Sequence, residues 1–132
     1  MLVRRFEREQ VTVQEDAVDI PIDVLIRAGQ DETTEDLREH VARKLSFALR
    51  RFHDQIGHVS VRVVDVNGPR GGVDSRCSIT ADLIDGPRLF VEAIAAWPFA
   101  AIADAASRLS EAIRRVHTRR AAHRSSRPPQ AL

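Results

Sequence analysis

Apolar and polar residues alternate in four separate stretches of the chain and recur at helical spacing in two others. In DIPIDVLIR, residues 19–27, Ile20, Ile22, Val24 and Ile26 share one face, the period of two of a half-buried strand. Pro21 lies on the opposite face near the start, where a missing ladder donor is tolerated, and Gly29 ends the strand. HVSVRVVDV predicts a second strand with Val59, Val61 and Val63 inward. RCSITADLI predicts a third, with Cys77, Ile79, Ala81 and Leu83 inward and Arg76, Ser78, Thr80 and Asp82 outward. RLFVEAIA supplies the fourth, joined to the third by a tight hairpin at Asp85-Gly86.

The helical stretches follow the first and last strands. Thr33 stands three residues before Asp36, a weak form of the capping box, and acids crowd the first turn, where the helix dipole favours them. Leu37, Val41, Leu45, Ala48, Leu49 and Phe52 then repeat at helical spacing, which predicts one helix running to about His53, with Gly57 marking its exit. Pro98 opens a second helix at a first-turn position, with a stripe of Phe99, Ile102, Ala106, Leu109, Ile113 and Val116.

The predicted order is β-α-β-β-β-α. The first two strands enclose a helix and therefore lie parallel through a right-handed crossover, whereas the next two connections are hairpin-like and give antiparallel pairing. Each helix has one apolar stripe, so both cover one face of a four-stranded sheet: an α+β two-layer sandwich. Residues 1–17 read as a loosely attached N-terminal lead-in with at most a short strand at 10–13. Residues 18–124 form the single α+β domain, and 125–132 (SSRPPQAL) are expected to be disordered.

Composition narrows the class. The 132 residues suit one domain, and 43% hydrophobic with 30% charged residues is a globular balance. No apolar run approaches the roughly 18 residues that span a bilayer, so no membrane partner is expected. The N-terminus lacks the apolar core and small-residue cleavage site of a secretory signal. One cysteine excludes a disulfide framework, and the cytoplasm is the expected compartment.

Net charge is only +1, but it is distributed unevenly. Residues 1–41 carry eleven acids against five arginines (−6), and residues 42–132 carry fifteen basic residues against eight acids (+7). Nineteen of the twenty basic residues are arginine. A coding bias accounts for the arginine excess over lysine, but not for the polarity along the chain. Arginine also suits bidentate phosphate contacts and stacking on bases.

A helix advances about 100° per residue, which locates the solvent faces. On the first helix Arg43, Phe47 and Arg50 lie opposite the apolar stripe with Lys44 and Arg51 beside them, and the 43/50 and 44/51 spacings line the basic pairs in rows. Phe47 has two readings: it stacks on an unpaired base, or it packs under the lead-in or in an oligomer contact. On the second helix Arg108, Arg115 and Arg119 fall within about 40° of one line, and Arg114, Arg120 and Arg124 widen the patch. Between residues 108 and 127 there are seven arginines and one acid, Glu111. The helix dipole explains one or two of them. The rest repel unless an anionic partner or counterions neutralise them, which leaves a polyphosphate partner or a solvated charged face.

The residues do not support catalysis, and no cofactor or small-molecule substrate is expected. Cys77 alternates inward with Ile79 and Leu83 and reads as a small core residue. His40, His53, His58, His117 and His123 lack metal-ligand spacing and read as solvated; no metal site is expected. The loop NGPRGG lacks the Gly-Lys-Ser/Thr ending of a phosphate cradle and joins two strands, so it reads as a hairpin loop. Nothing fixes the separation of Asp19, Asp23, Asp82 and Glu92, the candidates for a paired-carboxylate site.

The element order, the basic helices and the strings TTEDLREHVARKLSFALRRFHDQI, VSVRVVDVNGPRGGVDSRCSITADL and FAAIADAASRLSEAIRRVHTRR together resemble the ribosome hibernation-promoting factor (protein Y) family over roughly residues 19–122. NGPRGGVDSRC is the most family-like string. The resemblance implies a double-stranded-RNA-binding-like fold that docks in the mRNA–tRNA channel of the small ribosomal subunit and silences idle ribosomes. It implies rRNA phosphate contacts by Arg43, Lys44, Arg50 and Arg51 of the first helix and by Arg108, Arg115, Arg119 and Arg120 of the second. Arg114 and Phe47 join this candidate set from the helical faces alone. The resemblance is to the family's short form, so dimerisation through a C-terminal domain is not expected; a homodimer by another route is allowed but not implied. The lead-in has no family counterpart. A different class of function on the same fold is a protein-interaction or regulatory module without RNA binding.

Overall fold

The structure, a computed structural model of the chain, describes residues 7–13, 20–27, 34–67 and 72–126. The elements are β1 (Glu7–Val13), β2 (Ile20–Arg27), α1 (Thr34–Leu49), a 3-10 turn (Arg50–Gln55), β3 (Ile56–Asn67), β4 (Val73–Leu83), β5 (Arg88–Ala95) and α2 (Pro98–Ser126). The strands form one sheet in the order β1-β2-β3-β4-β5. β2 and β3 are parallel across the α1 crossover and every other pair is antiparallel. The α+β two-layer architecture therefore stands.

The period-two pattern positions the core. Ile20, Ile22, Val24 and Ile26 of β2, Val59, Val61 and Val63 of β3, and Cys77, Ile79, Ala81 and Leu83 of β4 are all buried. Leu37, Val41, Leu45 and Leu49 of α1 and Ile102, Ala106, Leu109 and Ile113 of α2 close over them. Each such aliphatic side chain contributes about 1.5–3 kcal/mol by burial. A bulge at Gly57, between the pairs Ile56–Leu83 and His58–Asp82, turns His58 to the outer face while Ile56 stays in the core. In the β4–β5 hairpin Asp85 takes φ 57°, a left-handed conformation that aspartate tolerates better than most residues.

Two expectations need correcting. The sheet has a fifth strand: β1 pairs with β2 from Glu7 opposite Ile26 to Val13 opposite Ile20, so residues 7–13 of the lead-in belong to the sheet. Their sequence, EREQVTV, alternates only at its end. The pairing instead satisfies the N–H and C=O groups that β2 would otherwise expose as an edge strand. The first helix also stops short of His53. The α-helix ends at Leu49 and a 3-10 turn follows, in which residues three apart eclipse, so Phe52 stays beneath Leu49 in the core. The Nδ1–H of His53 donates to the freed Arg50 carbonyl at 3.0 Å.

The second helix runs to Ser126, past the expected start of the tail. Residues 1–6 and 14–19 of the lead-in, Gly29, Thr33, the glycine-rich loop at 68–71 and residues 127–132 lie outside the described residues. Among the described residues no helix is long and apolar enough to cross a membrane.

Candidate nucleic-acid interface

The two helices lie side by side on the sheet and run in the same direction. His40 meets Phe99 near the start of α2, with ring centroids 4.8 Å apart at 84°, and one turn or more later Phe47 and the 3-10 turn meet Ser110 and Arg114. That second contact opens into a groove of about 450 Å³ between α1 and α2, lined by Phe47, Arg50, Arg51, Ser110 and Arg114 among others. A second groove of about 520 Å³ adjoins it through Arg114 and continues along α2 past Arg115, Thr118 and Arg119. Among the described residues Glu111 is the only acid lining either groove, and it sits 3.4 Å from Arg114. Both partners of that pair are more than half exposed, so screening leaves the attraction weak and Arg114 available to an outside anion.

Phe47 is 75% exposed, which excludes packing under β1 or the helices. The Arg50 guanidinium lies over one side of its ring, 5.6 Å from the centroid. Arg43 and Lys44 are exposed one turn earlier, beside His40. The 3-10 turn begins at Arg50, and Arg50 and Arg51 both line the interhelical groove.

Arg108 and Arg120 are placed differently. Arg108 reaches back to β5, the free edge of the sheet, and donates to the Glu92 carbonyl at 2.9 Å. Arg120 continues the line of Ile113 and Val116 past the end of the sheet and donates to the Asp85 carbonyl at the β4–β5 hairpin. Both arginines therefore fasten α2 to the sheet, while Arg50, Arg51, Arg114, Arg115 and Arg119 gather around the grooves. The spacing Ile113-Val116-Arg120 was the signal in the sequence that Arg120 lies on the core-facing line rather than the open one. Nothing local marked Arg108, whose partner is 16 residues away.

His40 departs from the solvated state expected of it. Burial lowers its pKa below the usual 6.5, Lys44 and Arg43 lower it further, and a hydrogen bond with the Phe99 backbone acts the other way. Cys77 is fully buried, and burial pushes its thiol up to about 12, which keeps it protonated at neutral pH.

Neither α1 nor α2 covers the opposite face of the sheet, and several of its described charges are cross-paired. His58 lies 3.3 Å from Asp23 and 4.0 Å from Asp82, Arg88 lies 2.7 Å from Asp82, and Arg76 lies 3.4 Å from Glu92. Asp23 and Glu92 line one groove there, but they stand on β2 and β5, three strand spacings or about 14 Å apart. Asp23 and Asp82 instead share His58, and Asp19 lies outside the described residues. Among the described residues no group of three His, Cys, Asp or Glu side chains is placed to hold a metal ion.

Comparisons with known proteins agree with this architecture. The crystal structure of the Thermus thermophilus Protein Y N-terminal domain is similar at a TM-score of 0.50 and 28% identity, covering 68% of this chain and 92% of that one. No curated protein sequence matches. Residues 24–121, from β2 to the exposed end of α2, match the family model described as Sigma 54 modulation protein / S30EA ribosomal protein, and the chain belongs to that family of ribosome-associated modulation factors.

Proposed function

We propose that this protein is a non-catalytic translation inhibitor that binds rRNA of the small ribosomal subunit, in the mRNA–tRNA channel, and holds idle ribosomes silent in the cytoplasm under stress. The observation that carries this reading is the run of Arg50, Arg51, Arg114, Arg115 and Arg119 along two adjoining grooves with Glu111 as the sole acid among the lining residues. Five guanidiniums on one ridge repel each other, and a sugar-phosphate backbone relieves that repulsion while releasing condensed counterions. On the other face of the sheet acids stand among the bases, with Asp23 beside His58, Glu92 beside Arg76 and Asp82 beside Arg88.

Contacts are mainly to phosphates, so recognition follows rRNA shape more than sequence. Arg43 and Lys44 extend the surface toward the start of α1. Arg108 and Arg120, engaged with sheet carbonyls, are secondary contacts. Reversing Arg114, Arg115 and Arg119 together to Glu tests the assignment: small-subunit binding is abolished while far-UV circular dichroism is unchanged. Undiminished binding would reject this face as the interface.

A further inference from the structure

The interhelical groove holds a feature that phosphate binding alone does not require. A phenyl ring on the solvent side of an amphipathic helix gains nothing from the core, yet Phe47 stands 75% exposed at the mouth of the groove. Arg50 covers one side of the ring at 5.6 Å, and that degree of exposure leaves the other side open. Arg51 lines the same groove from the α1 side, and Ser110 and Arg114 line it from α2. The groove, about 450 Å³, falls within the roughly 300–1,000 Å³ of small-ligand sites. That volume is on the scale of a single nucleotide.

Resting on the rRNA-binding reading above, we infer that this groove is a pocket for a single unstacked nucleotide: the base stacks on the open side of Phe47, and Arg51 and Arg114 hold the phosphates on either side. The partner is thereby RNA with an unpaired nucleotide beside a helix, rather than continuous duplex. Charge selects this occupant over a second copy of the chain, since two such faces would bring six or more arginines together. Among the described lining residues there is no carboxylate or amide, so stacking on the π face of Phe47 carries the recognition, and every base offers such a face. Arg50 behind the ring completes a guanidinium–phenyl–base stack.

The test measures binding of the full chain to purified small ribosomal subunits at several salt concentrations, for the wild type and for Phe47→Leu, Phe47→Trp and Arg114→Ala. Phe47→Leu keeps an apolar side chain but removes the π face, and it weakens binding about tenfold. The slope of log K against log salt stays that of the wild type, because no phosphate contact is lost. Phe47→Trp retains wild-type affinity, and Arg114→Ala makes the slope shallower by about one contact. Wild-type affinity for Phe47→Leu overturns the nucleotide pocket, as does equal weakening in Phe47→Leu and Phe47→Trp, which would mark a shape-specific protein contact. Failure of the wild type to bind at all would instead overturn the rRNA-binding reading itself.

Discussion

Cys77 offers a direct test of the sheet register. It lies on β4 opposite Val63 of β3 and Ala93 of β5, is fully buried, and has its pKa raised by burial from 9.0 to about 12. At pH 8 that displacement lowers the thiolate fraction about a thousandfold, and the thiolate is the reactive form. A disulfide reagent also cannot reach the sulfur without an opening of the sheet. An opening that costs about 5 kcal/mol, at the low end for a domain, suppresses that route several thousandfold. Labelling of the native protein should therefore be at least about a thousandfold slower than in urea, as read by Ellman's reagent or by mass spectrometry. The same displacement sets a pH dependence. The folded thiol stays protonated where the unfolded thiol has ionised, so its contribution to stability is complete below pH 9 and is lost as pH rises toward 12. Cys77→Ala removes that part of the alkaline decline. Native labelling within tenfold of the denatured rate would refute the reasoning. It would put Cys77 on the outer face, the consequence of a one-residue slip that sends Arg76, Ser78 and Thr80 into the core.

Further perturbations test the packing and the helix attachments. Leu109→Ala empties a fully buried position of α2 and should cost about 2–5 kcal/mol, read by urea denaturation; a loss below about 1 kcal/mol would show that α2 does not close the core as described. Arg108→Ala uncovers the Glu92 carbonyl on the free β5 edge. It should cost less than about 1 kcal/mol yet raise concentration-dependent self-association in sedimentation velocity, and unaltered sedimentation would deny Arg108 a role in guarding the edge. His40 is neutral in both states above pH 6.5, and its lowered folded pKa means that the unfolded chain binds its proton first, so stability falls as pH drops below 6.5. His40→Gln should flatten that acid limb in pH-dependent thermal melts, and an unchanged limb would place the histidine in solvent.

What the sequence made legible was governed by burial. The inward sets of β2, β3 and β4 and the apolar stripes of α1 and α2 follow from periods of 2 and 3.6, because each element has one face against a common core. β1 was legible only at its last residues, because its place is dictated by the open edge of β2 and not by its own polar sequence. The end of α1 at Leu49 was hidden because RRFH suits an α-helix locally; the 3-10 turn arises from keeping Phe52 inward while the chain turns into Ile56. At the candidate interface, helical geometry picked out Arg114, Arg115 and Arg119, whose surroundings lie on their own helix or its neighbour. It did not foresee the hydrogen bonds of Arg108 and Arg120, whose partners Glu92 and Asp85 lie 16 and 35 residues away on the sheet.

The central claim is that the arginine ridge binds the small ribosomal subunit through phosphates, and co-sedimentation with purified subunits from about 50 to 200 mM salt tests it most directly. Four phosphate contacts, by Arg51, Arg114, Arg115 and Arg119, predict a log–log slope between about −2.8 and −3.6, so affinity falls roughly 50- to 150-fold across that range. Saturable binding with such a slope is the expected result. Absence of binding at the lowest salt, or binding indifferent to salt, would contradict the account.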